Sequence, residues 1–506
     1  MTAAADATAQ GLNWYGATAA IEREPHALSF DLDVDVCVIG GGLAGLTTAR
    51  ELARRGWSVA LLEGDRIGNA ASGRNCGFVL PGFAESIAQI AERVGLDAAR
   101  EMWALAEAGC AYVRQTIAET AMPGVDPVGG WLSVAKFADD LALTNEVTLL
   151  RDTFDAAVEL WPAERVRESL KTPFYFNAIH YRTGFHIHPL NYLLGLAAAA
   201  EREGVRIFEA TPALSIDPAG VRKRVVTPSA RVRAAQIVIA GNVQVGSVLP
   251  RLSATLLPIT TFVAVTAPIG ERLQDAITYR GCVSDSEWAD NHYRVVDGDR
   301  LLWSGGMRTW NADPRRFARR LAAYIRRTYP QLGAVEIERV WSGTLGRTIH
   351  RMPQIGELAP GVWIASGFGG HGLNTSALGG NLIARAIAEG DPAWEVFRPY
   401  ELVWAGGMAG RTVMQVGYSG FRARERARAR WARWRNPWRP AEPTAVAEKP
   451  AETPPAVATP AEAASTMSGA ALAAGAGAVE AAENPAKRHR SRQRKKRAKS
   501  STAPAD

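Results

Sequence analysis

Residues 34–63 constrain this chain more than any other stretch. An apolar run (Val34, Val36, Val38, Ile39) ends in Gly40, Gly41 and Gly42, a helix-like segment follows, and a second apolar run over residues 59–62 closes on Glu63. That order is a βαβ unit that holds a dinucleotide. Gly40 permits the tight turn off the strand, Gly42 lets the backbone approach a pyrophosphate, and Gly45 lets the helix pack closely on the strand. The helix, opening at Leu43 and Ala44, offers its free N–H groups and positive dipole end to the phosphates. Glu63 would accept hydrogen bonds from ribose hydroxyls, which favours a ribose without a 2′-phosphate.

The next stretch narrows the cofactor. Residues 65–82 form a glycine- and serine-rich crossing that contains Ala71-Ser72-Gly73-Arg74-Asn75-Cys76-Gly77, and a leader with Asn13-Trp14-Tyr15-Gly16-Ala17-Thr18-Ala19 precedes the first strand. In these two motifs the chain resembles the flavin-dependent amine and amino-acid oxidoreductases of the D-amino-acid oxidase and glycine oxidase superfamily. The γ-glutamylputrescine oxidoreductase-like branch looks nearest. Cys76 stands where the family has glycine, a departure that bears on the local backbone and on the flavin environment. The resemblance continues through the strand-like residues 235–242, ending in Gly241, and through residues 345–374. There an apolar strand enters a loop of Gly367, Gly370, His371 and Gly372 that leads through Leu373 and Asn374 into a helix. It covers about residues 13–415.

What the resemblance implies is a noncovalent FAD site. Gly40, Gly42, Leu43, Ala44, Gly45, Glu63, Ser72, Gly73, Arg74, Asn75, Gly241, Gly367, Gly370, His371, Gly372, Leu373 and Asn374 would line it. The fold class expected is α/β (α+β overall), with a glutathione-reductase-like Rossmann FAD domain, an interleaved antiparallel substrate sheet, and a disordered basic C-terminal tail. A helix N-terminus at the second glycine loop suits a flavin, because reduction places negative charge near N1 and C2=O.

The expected division is a leader (1–33), a first FAD-binding segment (34–85), a mainly substrate-side segment with helices (86–185), and a returning FAD-binding segment (186–256). A substrate-side segment (257–343), a closing FAD-binding segment (344–400), a basic Trp- and Arg-rich extension (401–440) and an Ala/Pro-rich linker with a basic tail (441–506) follow. Periodicity predicts helices over residues 85–119, 141–159, 190–203, 314–329 and 375–388. Strands are expected at 129–135, 205–208, 260–266, 292–296, 301–304 and 336–343, with a hairpin turn at 297–299. Residues 1–12 are small and polar and read as mobile.

Charge is divided unevenly. Residues 401–506 hold 19 Lys and Arg against 9 Asp and Glu, so the overall +7 leaves residues 1–400 mildly acidic. Within the tail, residues 421–440 are arginine-rich with Trp431, Trp434 and Trp438, and residues 487–499 are a basic run. Contact with a polyanion or an anionic membrane through residues 421–499 is one reading, and a solvated extension is the other. The four cysteines (Cys37, Cys76, Cys110, Cys282) show no ligand spacing, and no metal is expected. No secretory signal and no run of about 18 apolar residues is present, so a cytoplasmic protein, with peripheral membrane association as a variant, is expected.

His371, Arg74 and His350 are the catalytic candidates. Arg347, His350 and Arg351 each could hold a substrate carboxylate, and Tyr293 with Trp303 could wall a pocket for a cationic amine. His186, His188 and His292 are weaker candidates. Lys136 is the one lysine considered for a place over the flavin, where some relatives use lysine with oxygen. The function expected is oxidation of the C–N bond of an amine or amino acid, by hydride transfer to flavin N5 and imine hydrolysis. O2 or an electron carrier would be the acceptor. An FAD-dependent dehydrogenase of a hydroxy acid or polyol, which would need a strong base, and a flavin-fold binding module tethered by its basic tail are the alternatives. The sequence leaves the oligomer open.

Overall fold

The computed structural model describes residues 13–137, 140–246, 248–285 and 291–435. The expectations for residues 1–12, for Trp438 and for the tail from 436 onward lie outside the described residues.

Leu32–Ile39 sits mid-sheet: its second half, Val36 to Ile39, is apolar and buried on both faces, as a central parallel strand requires. Arg231–Ile239 pairs parallel on one flank and Val59–Leu62 on the other; Val362–Ser366 and Arg206–Phe208 extend the parallel array outward. Gln354–Ala359 closes one edge antiparallel. The register sets Ile39 level with Ile239 and Ile239 level with Ile364, so three strands from distant parts of the chain end side by side.

Among the described residues the second sheet has nine strands. Ile337–Arg347, Leu257–Thr266, Arg300–Arg308, His292–Val296, Cys282–Ser284, Val128–Val134, Ala178–His186 and Phe78–Val79 follow in that order, and Val158–Trp161 also pairs with Ala178–His186. All neighbours are antiparallel except Cys282–Ser284 with Val128–Val134. One face of this sheet, with Trp131 and Cys282, joins the large core around the first sheet. The other, with Leu132, Val283, Tyr293 and Trp303, packs under the basic helix Arg315–Thr328 through Phe317, Leu321 and Ile325.

Helix crossings are close because of glycine. A Cβ on Gly380, in the helix Gly372–Glu389, would lie 2.7 Å from the Ala44 carbonyl oxygen of the helix Leu43–Ala53. One on Gly109, in Leu96–Thr120, would lie 2.5 Å from the Asn374 oxygen.

Six of the expected helices and strands fall within a residue or two of the elements, while the strands expected at 260–266 and 301–304 are longer, Leu257–Thr266 and Arg300–Arg308, because each continues its pairing along the second sheet. The helix expected over 141–159 ends at Phe154, because Ala156 to Trp161 turn to pair with the sheet edge. The strand expected over 336–343 runs on to Arg347, pairing Leu345, Gly346 and Arg347 with Ile259, Pro258 and Leu257; the substrate-side segment therefore extends past 343. Phe78 and Val79, assigned to the first FAD-binding segment, pair with the second sheet. The last helix of the described chain is Gly407–Arg435, so the extension is docked helix rather than a solvated appendage: Tyr418, Arg422, Ala429 and Ala432 are buried. The leader is held down by Trp14, Tyr15 and Leu28, all buried. The hairpin at 297–299 forms with Asp297 at φ +53° and Gly298 at +79°.

Candidate functional site

Three strand ends carry glycine to one edge. Gly40 follows Leu32–Ile39 at φ +111°, and a Cβ there would lie 2.7 Å from the backbone carbon of Ala240. Gly241 follows Arg231–Ile239, and Gly367 follows Val362–Ser366 at φ +69°. Glycine at these three turns keeps the chain's own Cβ atoms off this edge, as a close backbone approach to a ligand requires. A ligand outside the carboxyl ends of parallel strands is the general rule for such sheets.

The helix Leu43–Ala53 opens at Gly42, which has no side chain to cap it. Ser72 Oγ accepts the Leu43 N–H at 3.1 Å, and a Cβ on Gly42 would meet that oxygen at 3.0 Å. A Cβ on Gly45 would lie 2.0 Å from the Gly40 carbonyl, so the helix can seat on the strand only with glycine there. Glu63 is aimed at the same turn: its Oε2 accepts the Gly41 N–H at 2.7 Å and its Oε1 the Asp65 N–H at 3.0 Å. Burial pushes its carboxyl above the usual range, and the two N–H groups oppose that shift. A carboxylate has lone pairs left for ribose hydroxyls after two such bonds.

Ser72, Gly73 and Arg74 lie on the short helix Ala71–Arg74. Gly73 is required because a Cβ would lie 2.4 Å from the Gly68 oxygen. Arg74 reaches the second sheet, donating to the Ser342 carbonyl at 3.3 Å, while its own carbonyl accepts Trp341 Nε1–H at 3.0 Å. Asn75 closes its own loop: Nδ2 donates to the Ser72 oxygen at 2.8 Å and Oδ1 accepts the Gly77 N–H at 2.8 Å. The left-handed backbone falls on Gly77 (φ +81°) and not on Cys76, so cysteine is accommodated without strain. Burial pushes the Cys76 thiol up to about 11, which keeps it protonated.

The second glycine loop delivers His371. Gly369–His371 is a single 3-10 turn, and the helix starts at Gly372 rather than at the expected Thr375, with Leu373 and Asn374 buried in its first turn. Gly370 lies in the turn with open space around its Cα. Asn374 Nδ2 donates to the Gly82 carbonyl at 3.0 Å, whereas its Oδ1 and the Oγ of Ser366 are buried without a hydrogen-bond partner. Buried acceptors left open at a strand end and a helix start fit a bound group with donors of its own. Together with the glycine cleft and Glu63, they fit a dinucleotide that carries a polar ring system.

Opposite His371 stand side chains of the second sheet. Trp131 presents its ring edge to the His371 ring at 6.2 Å between centroids, and stacks on Tyr181 at 4.2 Å. Trp131 Nε1–H donates to Ser284 Oγ at 3.0 Å, and the same oxygen forms a second hydrogen bond with His292 Nδ1, 2.8 Å away. Phe78 meets the His292 ring edge-on at 5.9 Å. Burial, the neighbouring His292 and Arg351 hold His371 down at about 4. Burial likewise holds His292 at about 4, with Lys136 adding to the shift and Asp285 opposing it. Both rings are neutral at pH 7.

Sequence reasoning underrated this wall. Trp131 appeared only as part of a strand, Ser284 and Phe78 were not singled out, and His292 was ranked low; alternation along His292–Val296 was the one available signal. Arg294 was missed as well. It is buried behind Gly77, donates to His186 Nδ1 at 2.7 Å and to the Tyr15 hydroxyl at 3.4 Å, and has no carboxylate within ion-pair distance among the described residues.

Other candidates lie elsewhere. His350 is not brought to the cluster: its Nδ1 accepts the Met352 N–H and its Nε2 faces the Glu401 carbonyl at 3.2 Å, in a turn against the C-terminal segment. Arg351 pairs with Glu85 at 3.2 Å. Arg347 is buried beside Phe368 at the mouth of the second glycine loop, and burial lowers its guanidinium to about 10. Tyr293 and Trp303 do not wall a pocket; they stack on each other in the core on the far face. Lys136 faces the same far side, paired with Asp285 and Glu425 at 3.2 Å each, so it does not lie over the glycine cleft. His188 caps the helix Pro189–Arg202 through the Asn191 N–H, and His186 faces Arg294 and the Arg280 carbonyl. Among the described residues no group of three His, Cys, Asp or Glu is arranged to hold a metal.

Comparison with known proteins agrees with this geometry. Residues 35–386 match the family model described as DAO, FAD dependent oxidoreductase. The chain is 32% identical over 381 residues, 74% of its length and 88% of the relative's, to the gamma-glutamylputrescine oxidoreductase of Escherichia coli (strain K12). It is 30% identical over 372 residues, 72% of its length and 85% of the relative's, to the probable oxidoreductase OrdL of Haemophilus influenzae. Glycine oxidase from Geobacillus kaustophilus shares the fold, with a TM-score of 0.62 at 20% identity over 74% of this chain and 99% of that one.

Proposed function

Because the chain belongs to the DAO family of FAD-dependent oxidoreductases and is therefore an enzyme that uses FAD, we propose that it oxidises the C–N bond of an amine or amino acid. The flavin, when bound, accepts a hydride equivalent from the substrate carbon at N5. The resulting imine is hydrolysed by water to a carbonyl compound and an amine or ammonia. O2 or an electron carrier then takes the electrons.

The observation that carries this reading is the neutral, largely apolar cluster in which His371, from the second glycine loop, meets Trp131, with His292 and Phe78 beside it on the second sheet. Oxidation needs the amine unprotonated, and a dry wall with uncharged imidazoles favours the neutral form. An alcohol substrate needs a strong base, and an imidazole held near 4 is a poor one. That favours an amine over a hydroxy acid.

The residues divide the work. Gly40, Gly42 and Gly45 with the helix behind them hold the pyrophosphate, Glu63 the ribose, and the start of Gly372–Glu389 the polar end of the ring. His292, oriented by Ser284, turns its Nε2 edge to the substrate. Arg347 at the loop mouth is suited to a substrate carboxylate or the γ-glutamyl group of a γ-glutamylputrescine-like amine. Contact of the C-terminal region, residues 421–499, with an anionic surface belongs to the same proposal.

Anaerobic bleaching of the bound flavin across polyamines, γ-glutamyl amines, N-methyl and D-amino acids, and hydroxy acids tests it. One amine should bleach the flavin. Reduction by hydroxy acids alone would overturn the reading.

A further inference from the structure

The helix Gly407–Arg435 has two opposed faces. The inner one is docked: Tyr418 is buried beside Ile259 and Met307, Glu425 pairs with Lys136 at 3.2 Å, Arg422 and Arg426 donate to the Tyr324 hydroxyl, and Arg433 lies over the Phe174 ring at 4.4 Å. The outer one is apolar and exposed. Val413 is 72% exposed, Val416 67%, Trp431 57% and Trp434 78%. At the turn of an α-helix these four positions fall within an arc of about 60°, and Ala409, Gly420 and Ala427 fill the same arc between them. Arg424, Arg428 and Arg435 border it on one side and Arg430 on the other, all exposed. The strip is therefore apolar along its middle and cationic along both margins, for about 30 Å of helix.

We infer that this outer face docks flat on an anionic lipid surface, with Trp431 and Trp434 in the headgroup boundary and the bordering arginines on lipid phosphates. Burying the apolar strip requires a medium that is apolar at the centre and anionic at its edge, and a bilayer interface has that profile. A nucleic acid does not fit, because it presents phosphates where the valines and tryptophans lie. A second copy of the chain fits poorly: each helix carries eight arginines against one glutamate, and a symmetric pairing would set the two cationic margins together. The inference names the partner for the anionic contact proposed above and is independent of which amine is oxidised.

The test is sedimentation of the full-length holoprotein with vesicles of phosphatidylcholine, with and without about one-third phosphatidylglycerol. The wild type should pellet with the anionic vesicles, less at high salt, and weakly with phosphatidylcholine alone. The double variant W431S/W434S should lose at least about tenfold in vesicle affinity, with flavin content and bleaching by substrate in solution unchanged. V413S/V416S, at the other end of the strip, should lose affinity as well. Absence of pelleting by the wild type, or equal pelleting by the wild type and both variants, would overturn the inference. So would a concentration-dependent dimer that both variants dissolve without any vesicle binding. Because bleaching is read without vesicles, failure here leaves the substrate reading standing, and the reverse holds too.

Discussion

The two walls of the candidate site are made of different matter. One is backbone: the helix starts at Leu43 and Gly372 and the turns at Gly40, Gly241 and Gly367, where an added Cβ would collide. The other is side chain: His292, Ser284, Trp131 and Phe78, carried by four strands of the antiparallel sheet and linked by two hydrogen bonds. A backbone wall tolerates almost no substitution and discriminates little between substrates, because every peptide offers the same groups. A side-chain wall can change residue by residue without unseating the fold. The cofactor should therefore depend on the first and substrate choice and rate on the second.

The largest break in that comparison is Gly45→Val. With a Cβ 2.0 Å from the Gly40 carbonyl, the helix must move off its strand, at a cost of about 3 kcal/mol. Purified protein is expected to carry almost no flavin, as read from the ratio of flavin to protein absorbance, and retention of a full complement would refute the backbone wall. His292→Ala tests the other side, and His371→Ala tests the ring that meets it from the second glycine loop. Each should keep its flavin yet lower the rate of anaerobic reduction by substrate about 100-fold, and a stopped-flow trace at the wild-type rate would remove that residue from the chemistry.

A smaller effect separates binding from shaping. Glu63→Gln replaces one acceptor oxygen with a donor that faces the Gly41 or Asp65 N–H, so flavin affinity should fall about tenfold; reduction of the flavin that remains should proceed normally. The last prediction concerns pH. His371 and His292 are held near 4 in the folded protein, well below their ordinary 6.5. As pH falls through about 6.5 the unfolded chain takes up protons that the folded chain refuses, so this share of stability is complete above about 6.5 and is lost progressively toward 4. The melting temperature should drop from pH 7 to pH 5, and H292Q/H371Q should flatten that drop; an unchanged slope would show that the two rings are not buried neutral.

The comparison also explains what could be read in advance. The glycine edge was legible because its requirements are local: Gly40, Gly42 and Gly45 sit within six residues, and Glu63 closes the next strand in the same segment. The second loop, Gly367 to Asn374, was legible for the same reason. The side-chain wall was not, because His292, Ser284, Trp131 and Phe78 are distant in sequence and their meeting depends on strand order. Alternation alone places His292 and Tyr293 on opposite faces, yet it cannot say which face looks toward the glycines. That ambiguity put Tyr293 in a pocket that the sheet assigns to the core, and left Lys136 as a flavin-side candidate when it is paired on the far side. His350 was proposed for its nearness in sequence to the second loop, and a turn directs it to Glu401 instead.

The C-terminal helix shows the same division. Composition exposed a basic, tryptophan-bearing stretch, but arginine at nearly every second residue conceals an apolar strip until the docked face is known. Once Tyr418, Glu425 and Ala429 are turned inward, the remaining residues are sorted by subtraction.

By itself, then, the sequence determined the dinucleotide turn, the flavin family and the order of segments, since these follow from backbone constraints and periodicities spanning a few residues. The tertiary structure alone decided which histidines face the glycine edge, which lysine is spent in an ion pair and which side of the last helix meets solvent. Those outcomes depend on long-range strand pairing and burial, where a residue's environment is set by chain segments far away in sequence, as Trp131 is paired with Cys282 and Leu257 with Arg347.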